Sequence, residues 1–128
     1  MPRQSMNILF LDDDNERIRQ FRTKIPGAVV VKTAEQAIKA LQKEDIWNIV
    51  FLDHDLGGEE FVDSNREDCG MEVVRWIIKK DAHIRNIIVH THNTPAGEYM
   101  TALLKEALYE TNYVPFGTLI NNLEMAHG

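Results

Sequence analysis

Three short polar clusters contain the residues of this sequence that could do chemistry. Each follows an apolar run that is typical of a buried parallel strand. The clusters are Asp12-Asp13-Asp14 after 7–11, Asp53-His54-Asp55 after 49–52, and His90-Thr91-His92-Asn93 after 87–89. In an open α/β sheet the carboxyl ends of the strands share one edge, so the clusters would meet there. Their five carboxylates would repel one another unless a cation intervened or some stayed protonated, and a divalent metal is the simplest answer.

The segments that must position these clusters alternate between strand-like and helical patterns. Predicted strands cover residues 7–11, 28–31, 47–52, 84–90 and 113–116, with helical spacing between them and a final short helix over about 118–125. This alternation predicts a doubly wound, flavodoxin-like α/β fold: a five-stranded parallel sheet of order 2-1-3-4-5 with helices on both faces. The switch point then lies between the first and third strands, and all three clusters gather at one crevice.

Size and charge restrict the function. The chain has 128 residues, 44% of them hydrophobic, which suits one domain over 1–128. Its net charge is -6 and it has no basic run, so binding to duplex nucleic acid is not expected, whereas a small nucleotide or a nucleic-acid end held through a metal stays open. No signal-like stretch or run of about 20 apolar residues occurs, so we expect a cytoplasmic protein without a membrane partner. Cys69 is the single cysteine, which rules out an internal disulfide.

The first two clusters resemble the receiver domains of bacterial response regulators, over nearly the whole chain. Phe10-Leu11-Asp12-Asp13-Asp14 resembles the acidic pair that closes the first receiver strand, and Phe51-Leu52-Asp53-His54-Asp55-Leu56 resembles the phosphoacceptor segment. The resemblance implies that Asp12 and Asp13 hold a divalent ion and that Asp53 is the phosphoacceptor position. It further implies that the carbonyl of Asp55 joins the metal shell and that Thr91 contacts phosphate.

The sequence also departs from the receiver pattern. Receivers end their fifth strand with Lys-Pro, and that Lys binds the phosphoryl group, but here Val114 precedes Pro115. Histidines flank Thr91 on both sides. With these changes, the segments Leu52-Asp53-His54-Asp55-Leu56-Gly57-Gly58, Gly70-Met71-Glu72 and His90-Thr91-His92-Asn93 resemble a variant, the cyclic-phosphate processing receiver domain. That resemblance implies action on a cyclic phosphate through histidines and acidic residues.

The side chains indicate which metal and which reaction to expect. Hard oxygens suit Mg²⁺ or Mn²⁺, while imidazole suits transition ions, so we expect Mn²⁺ or another transition ion in preference to Mg²⁺. Such an ion polarises a phosphoryl oxygen and activates water, and one of the histidines can protonate the leaving oxygen. The predicted metal ligands are Asp12, Asp13, Asp53 and Asp55, the predicted catalytic residues are His90, His92 and Asp53, and the predicted accessory residues are His54, Thr91 and Asn93.

Simpler roles remain open for several of these residues. The aspartates could cap the helices that follow them, with Asp14 the best candidate, and Asn93 is more typical of a cap than of a ligand. Asp55 could form a turn, and His54 could point away from the metal. Residues two apart on a strand share a face, so either the pair His90 and His92 or Thr91 faces the crevice.

The leading hypothesis is a metal-dependent phosphoesterase on a receiver-like scaffold, acting on a small cyclic-phosphate ligand. The first alternative is a receiver-type signalling module that accepts phosphate on Asp53. The second is a non-catalytic module that binds a metal and a nucleotide. The polar segment 57–69 is longer than a usual connection, and we expect a lid there if Phe61 and Val62 fold over the crevice.

Overall fold

The computed structural model describes residues 6–56, 63 and 65–127. Five strands alternate with five helices along these residues. In chain order they are β1 Ile8–Leu11, α1 Asn15–Lys24, β2 Val29–Val31, α2 Ala34–Leu41, β3 Trp47–Leu52, α3 Gly70–Lys80, β4 Ile84–Val89, α4 Thr94–Glu106, β5 Thr111–Tyr113 and α5 Phe116–His127. The predicted lid, with Phe61 and Val62, lies largely outside the described residues.

The strands form one parallel sheet in the order β2-β1-β3-β4-β5, which confirms the predicted flavodoxin-like topology. The register aligns the strand ends, because Leu11 is paired with Leu52 and Leu52 with Val89. Backbone hydrogen bonds continue one residue further: Asp53 N–H donates to the Leu11 carbonyl at 3.1 Å and His90 N–H to the Leu52 carbonyl at 2.9 Å. The polar clusters therefore begin at one level of one sheet edge.

Alternation along the strands supplies two separate cores. Leu9, Leu11, Val50 and Leu52 face the side covered by α2, α3 and α4. Phe10 and Phe51 face the other side, where they pack with Phe21 of α1 and Phe116 of α5. Both faces are thus covered by helices, which explains why the strands read as continuous apolar runs.

The fifth strand differs from the sequence expectation. It covers Thr111–Tyr113, two residues earlier than the predicted 113–116, and α5 begins at Phe116 rather than near 118. Pro115 cannot donate a hydrogen bond to a neighbouring strand, so the chain leaves the sheet before it. The polar character of Thr111 and Asn112 hid this strand, although Thr111 is buried.

Helix caps fix how the chain leaves the site edge. Asp14 is the N-cap of α1, accepting a hydrogen bond from Arg17 N–H at 2.9 Å, as predicted. Asn93 is the N-cap of α4, accepting from Ala96 N–H at 3.2 Å. In the described part of the chain, no helix has the length and apolar character needed to cross a membrane.

Candidate metal and phosphate site

Three carboxylates meet at the carboxyl edge of β1 and β3. Asp12, Asp13 and Asp53 each offer an oxygen within 4.8 Å of the others, and in the described residues these are the grouped side chains that could share an ion. Asp12 and Asp53 are buried, and Asp13 is partly buried. The donor atoms are hard oxygens, which fit Mg²⁺ or Mn²⁺ better than zinc. The site thus fits a divalent ion, whose identity the geometry leaves open.

Arg17 lies inside this acidic cluster. Its Nε is 2.8 Å from Asp12 Oδ2 and its Nη2 is 3.0 Å from Asp12 Oδ1, so the guanidinium binds that carboxylate with two parallel hydrogen bonds. Nη2 also lies 3.5 Å from Asp53 Oδ2. A fork-to-fork contact of this kind is among the stronger charge-assisted interactions in proteins. Arg17 therefore supplies positive charge to the cluster from within the chain.

Burial and charge perturb Asp53. Burial first, and then the neighbouring Asp12 charge, raise the pKa of Asp53 to about 7. The His54 N–H, Arg17 and the Thr91 hydroxyl oppose that rise in pKa only in part. Asp53 thus holds its proton until near neutral pH, and a bound cation would favour its ionised form.

Thr91, from the third cluster, lies beside the Asp53 carboxylate. It is buried, and its hydroxyl lies near enough to Asp53 to favour the ionised form of that carboxyl and so to lower its pKa. Its hydroxyl oxygen also accepts from Asn93 N–H at 3.1 Å, and its carbonyl accepts from Tyr113 Oη at 2.8 Å. The open question of which residues face the crevice therefore receives a mixed answer, since Thr91 contacts Asp53 while His90 lies near Asp12.

His90 is enclosed on the aromatic face of the sheet. Its ring stacks on Phe10 with centroids 4.9 Å apart, and its Nε2 is 3.2 Å from the Leu11 carbonyl. Its Nδ1 lies 3.8 Å from Asp12 Oδ2. Burial lowers the pKa of His90 to about 4, although Asp12 opposes that effect. His90 is thus uncharged at neutral pH, and its Nε2–H donates to Leu11.

The second histidine of the pair has a different environment. His92 is exposed, and within the described ranges it takes part in no hydrogen bond or ion pair with another side chain. The two histidines therefore do not form one unit. Their catalytic roles stay predictions.

A second buried network lies beside the carboxylates. His54 is fully buried, with Nδ1 2.7 Å from Asp55 Oδ1, and that oxygen also accepts from Asn93 Nδ2 at 3.2 Å. His54 is also hydrogen-bonded to Cys69. Burial alone would lower the pKa of His54, but its bonds to Cys69 and Asp55 raise it. Burial likewise works to raise the pKa of the Cys69 thiol, but the bond to His54 and backbone hydrogen bonds from Met71 and Glu72 together outweigh it and lower that pKa.

The hydrogen bonds of this network hold the carboxylate of Asp55 away from the group of metal ligands. Its carboxylate is committed to His54 and Asn93, and it does not belong to the group formed by Asp12, Asp13 and Asp53. Participation of Asp55 through its carbonyl stays a prediction.

A glycine allows α3 to begin against the site. A Cβ on Gly70 would lie 1.8 Å from the Asp53 carbonyl oxygen, and Gly70 N–H donates to the His54 carbonyl at 2.8 Å. No other residue fits this close approach without moving Asp53.

Sequence reasoning missed Arg17 and Cys69 in this region, and it included Gly70 only as part of a segment that resembles the family. Arg17 had a weak signal, because it follows the N-cap Asp14 by three residues and so must return towards the aspartate run. Nothing in the sequence pairs Cys69 with His54.

Comparison with known proteins identifies the family. Residues 7–106 match the model of the cyclic-phosphate processing receiver domain. The chain belongs to this family. A search of curated proteins gives no match to this cyclic-phosphate processing receiver.

Solved receiver structures share its fold. The Mn²⁺-bound form of response regulator Rcp1 is 15% identical, with a TM-score of 0.62 over 96% of this chain and 92% of that one. A response regulator from Colwellia psychrerythraea is 15% identical, with a TM-score of 0.61 over 95% of this chain and 97% of that one. A CheY-like receiver domain from Methylobacillus flagellatus is 14% identical, with a TM-score of 0.60 over 94% and 98%. At these identities the likeness establishes the fold alone.

Proposed function

We propose that this protein is a metal-dependent phosphoesterase that hydrolyses a cyclic phosphate, carried by a cyclic nucleotide or by a nucleic-acid end. The observation that carries the proposal is the convergence of Asp12, Asp13 and Asp53 at the sheet edge in a chain of the cyclic-phosphate processing family. Two of these carboxylates are buried, so water screens their charges poorly and a divalent cation best relieves their repulsion. When bound, such an ion supplies Lewis-acid polarisation of a phosphoryl oxygen.

The surrounding residues hold the carboxylates in fixed orientations. Arg17 and the Asp14 N–H both donate to Asp12. The His54 N–H donates to Asp53 Oδ1 at 2.8 Å, and the Thr91 hydroxyl lies near the same carboxylate. The carboxylate oxygens that would hold the metal ion are therefore already oriented before the phosphoryl group binds. This lowers the entropic cost of reaching the reactive geometry.

We assign the proton donor for the leaving oxygen to His92 rather than His90. His90 is uncharged at neutral pH because its pKa is about 4, and its Nε2 is engaged with the Leu11 carbonyl. It is suited to supporting the ends of the strands. His92 follows Thr91 directly in the chain and is exposed, so it is accessible to a ligand at this end of β4.

The test is incubation of the purified protein with cyclic mononucleotides, cyclic dinucleotides and an oligonucleotide ending in a 2′,3′-cyclic phosphate, each with Mn²⁺, Mg²⁺ or Zn²⁺. We expect metal-dependent hydrolysis that Asp53→Asn abolishes and that His92→Ala slows by roughly 10²–10⁴-fold. His83→Ala is the matched control, because His83 is also exposed but precedes β4 at the opposite end of the sheet. Absence of hydrolysis with every metal would refute the enzyme, and metal-dependent binding without turnover would instead identify a non-catalytic module.

The contact between Thr91 and Asp53 favours a second candidate, a signalling module that is phosphorylated on Asp53. Against it, Val114 packs partly buried against the aromatic core at the end of β5, where a receiver has its Lys. Acetyl phosphate labelling that is lost in Asp53→Asn, together with no cyclic-phosphate hydrolysis, would favour this candidate.

A further inference from the structure

The guanidinium of Arg17, on helix α1, places a positive charge at the acidic site. Arg17 lies in the second turn of α1, whose start is fixed by the Asp14 cap. Its guanidinium approaches three carboxylates, at 2.8 Å from Asp12, 3.5 Å from Asp53 and 3.7 Å from Asp14. In the part of the chain that the structure describes, it is the arginine or lysine with ion pairs to Asp12 and Asp53. An anion that binds beside Asp12 and Asp53 therefore lies close to the guanidinium.

Arg17 is not fully occupied by its carboxylate partners. The two hydrogen bonds to Asp12 use Nε and one N–H of Nη2, while arginine has five N–H donors in one plane. The Asp14 and Asp53 approaches, at 3.7 and 3.5 Å, leave weak or no hydrogen bonds. The side chain is 26% exposed, so its outer edge faces solvent. A guanidinium in this state can keep its bond to Asp12 and bind a phosphate oxygen at the same time.

The negative charge of the site explains why a second cation would help a phosphate group to bind. A phosphate group brought to Asp12, Asp13, Asp14 and Asp53 meets strong repulsion, and a single divalent ion neutralises only part of it. A second cation beside the ion would offset a further part of it. At the end of β5 stands Val114, whose side chain has no charge.

We propose that Arg17 is the phosphate-binding residue of this site, contacting the phosphoryl group of the ligand while it orients Asp12. This inference rests on the proposed function only in requiring a ligand that has a phosphoryl group. It assigns to α1 the contact that fixes and neutralises that group.

The experiment measures metal and phosphate separately on the full chain. Mg²⁺ affinity is measured alone by calorimetry, and inorganic phosphate is then titrated into Mg²⁺-saturated protein. For Arg17→Gln we expect phosphate to bind roughly tenfold to a hundredfold more weakly, as for loss of a charge-assisted bond. Its Mg²⁺ affinity should stay equal or rise, because a competing cation is removed. Arg22→Gln, an exposed arginine of the same helix, should bind both as the wild type does.

Equal phosphate affinity in Arg17→Gln and wild type would overturn the inference and leave Arg17 as a counter-ion of Asp12. If phosphate does not bind the Mg²⁺-loaded wild type, the inference also fails, whereas cyclic-phosphate hydrolysis is judged by its own assay. Should Arg17→Gln not fold, nitrogen-15 spectra of the arginine side chains decide the matter in the wild type. The Arg17 Nε resonance, assigned with Arg17→Lys, must move on phosphate addition, and an unmoved resonance refutes the contact.

Discussion

Replacing Asp53 with asparagine should stabilise the metal-free protein, by an amount that grows with pH. The carboxyl of Asp53 has its pKa raised from the usual 3.8 to about 7, by burial and then by the charge of Asp12. A group whose pKa is higher in the folded state binds its proton more tightly there than in the unfolded chain. The contribution of Asp53 to wild-type stability must therefore fall as the pH rises from about 4 through about 7. Asparagine resembles the protonated acid at all pH values and avoids that loss.

The size of the effect follows from the pKa. At about 1.36 kcal/mol per pKa unit, the rise from 3.8 to about 7 corresponds to roughly 4 kcal/mol well above neutrality. Between pH 5 and pH 8 the advantage of Asp53→Asn should widen by roughly 2–3 kcal/mol. The lowered pKa of His90 acts in the opposite direction. It makes the fold less stable as the pH falls from 6.5, the usual pKa of a histidine, towards about 4. That contribution is common to both proteins and cancels in their difference.

The assay is urea unfolding in EDTA, followed by tryptophan fluorescence at several pH values. Asp45→Asn, which changes an exposed aspartate, is the control and should show a constant difference from wild type. Adding Mn²⁺ should stabilise the wild type and leave the stability of Asp53→Asn unchanged. The advantage of Asp53→Asn over the wild type should therefore shrink or reverse. A difference between wild type and Asp53→Asn that stays flat or shrinks with rising pH would refute the reasoning on burial and charge.

Three further predictions concern two residues that support the site and the metal that it would bind. Gly70→Ala should destabilise the protein and weaken Mn²⁺ binding, because the added Cβ would meet the Asp53 carbonyl oxygen at 1.8 Å, whereas Gly117→Ala, with open space around its Cβ, should be neutral or slightly stabilising in thermal unfolding; equal effects of the two changes would contradict this. Asn93→Ala should lower the free energy of unfolding by about 1 kcal/mol or more, through loss of the α4 cap and of the bond to Asp55, and unchanged urea unfolding would exclude that role. Chelation with EDTA should lower the midpoint of thermal unfolding, and Mn²⁺ at a hundred times its Kd should restore about 2.7 kcal/mol; a midpoint indifferent to Mn²⁺ would argue against the metal site.

Much of the fold was accessible from the sequence because its signals are local. Continuous apolar runs marked the first four strands, and alternation with helical spacing predicted the sheet order that the structure confirms. The Asp14 cap was accessible for the same reason, since an aspartate directly before a helical pattern has one favoured local role. The fifth strand was predicted too late in the chain, because its polar residues carry no such signal.

The placement of the carboxylates followed from topology together with residue type. Asp12 and Asp53 come directly after strands that are neighbours at the switch point, so their approach was required once the order was known. The contact of Thr91 with Asp53, and the enclosure of His90 between the strands and Phe10, needed the backbone path at the end of β4. A pleat argument fixes which residues alternate but not the point at which alternation stops.

The sequence by itself determined the sheet, its order and the edge at which the acidic residues collect, because these depend on the order of apolar runs and on residue types within a few positions of each other. Only the tertiary structure decided what surrounds those residues. Arg17 reaches Asp53 from a neighbouring helix, and His54 meets Cys69 across 15 positions of chain. Such contacts depend on side-chain direction and on packing between distant segments, which no local pattern encodes. They determine the charge, the pKa values and the proposed phosphate contact of the site.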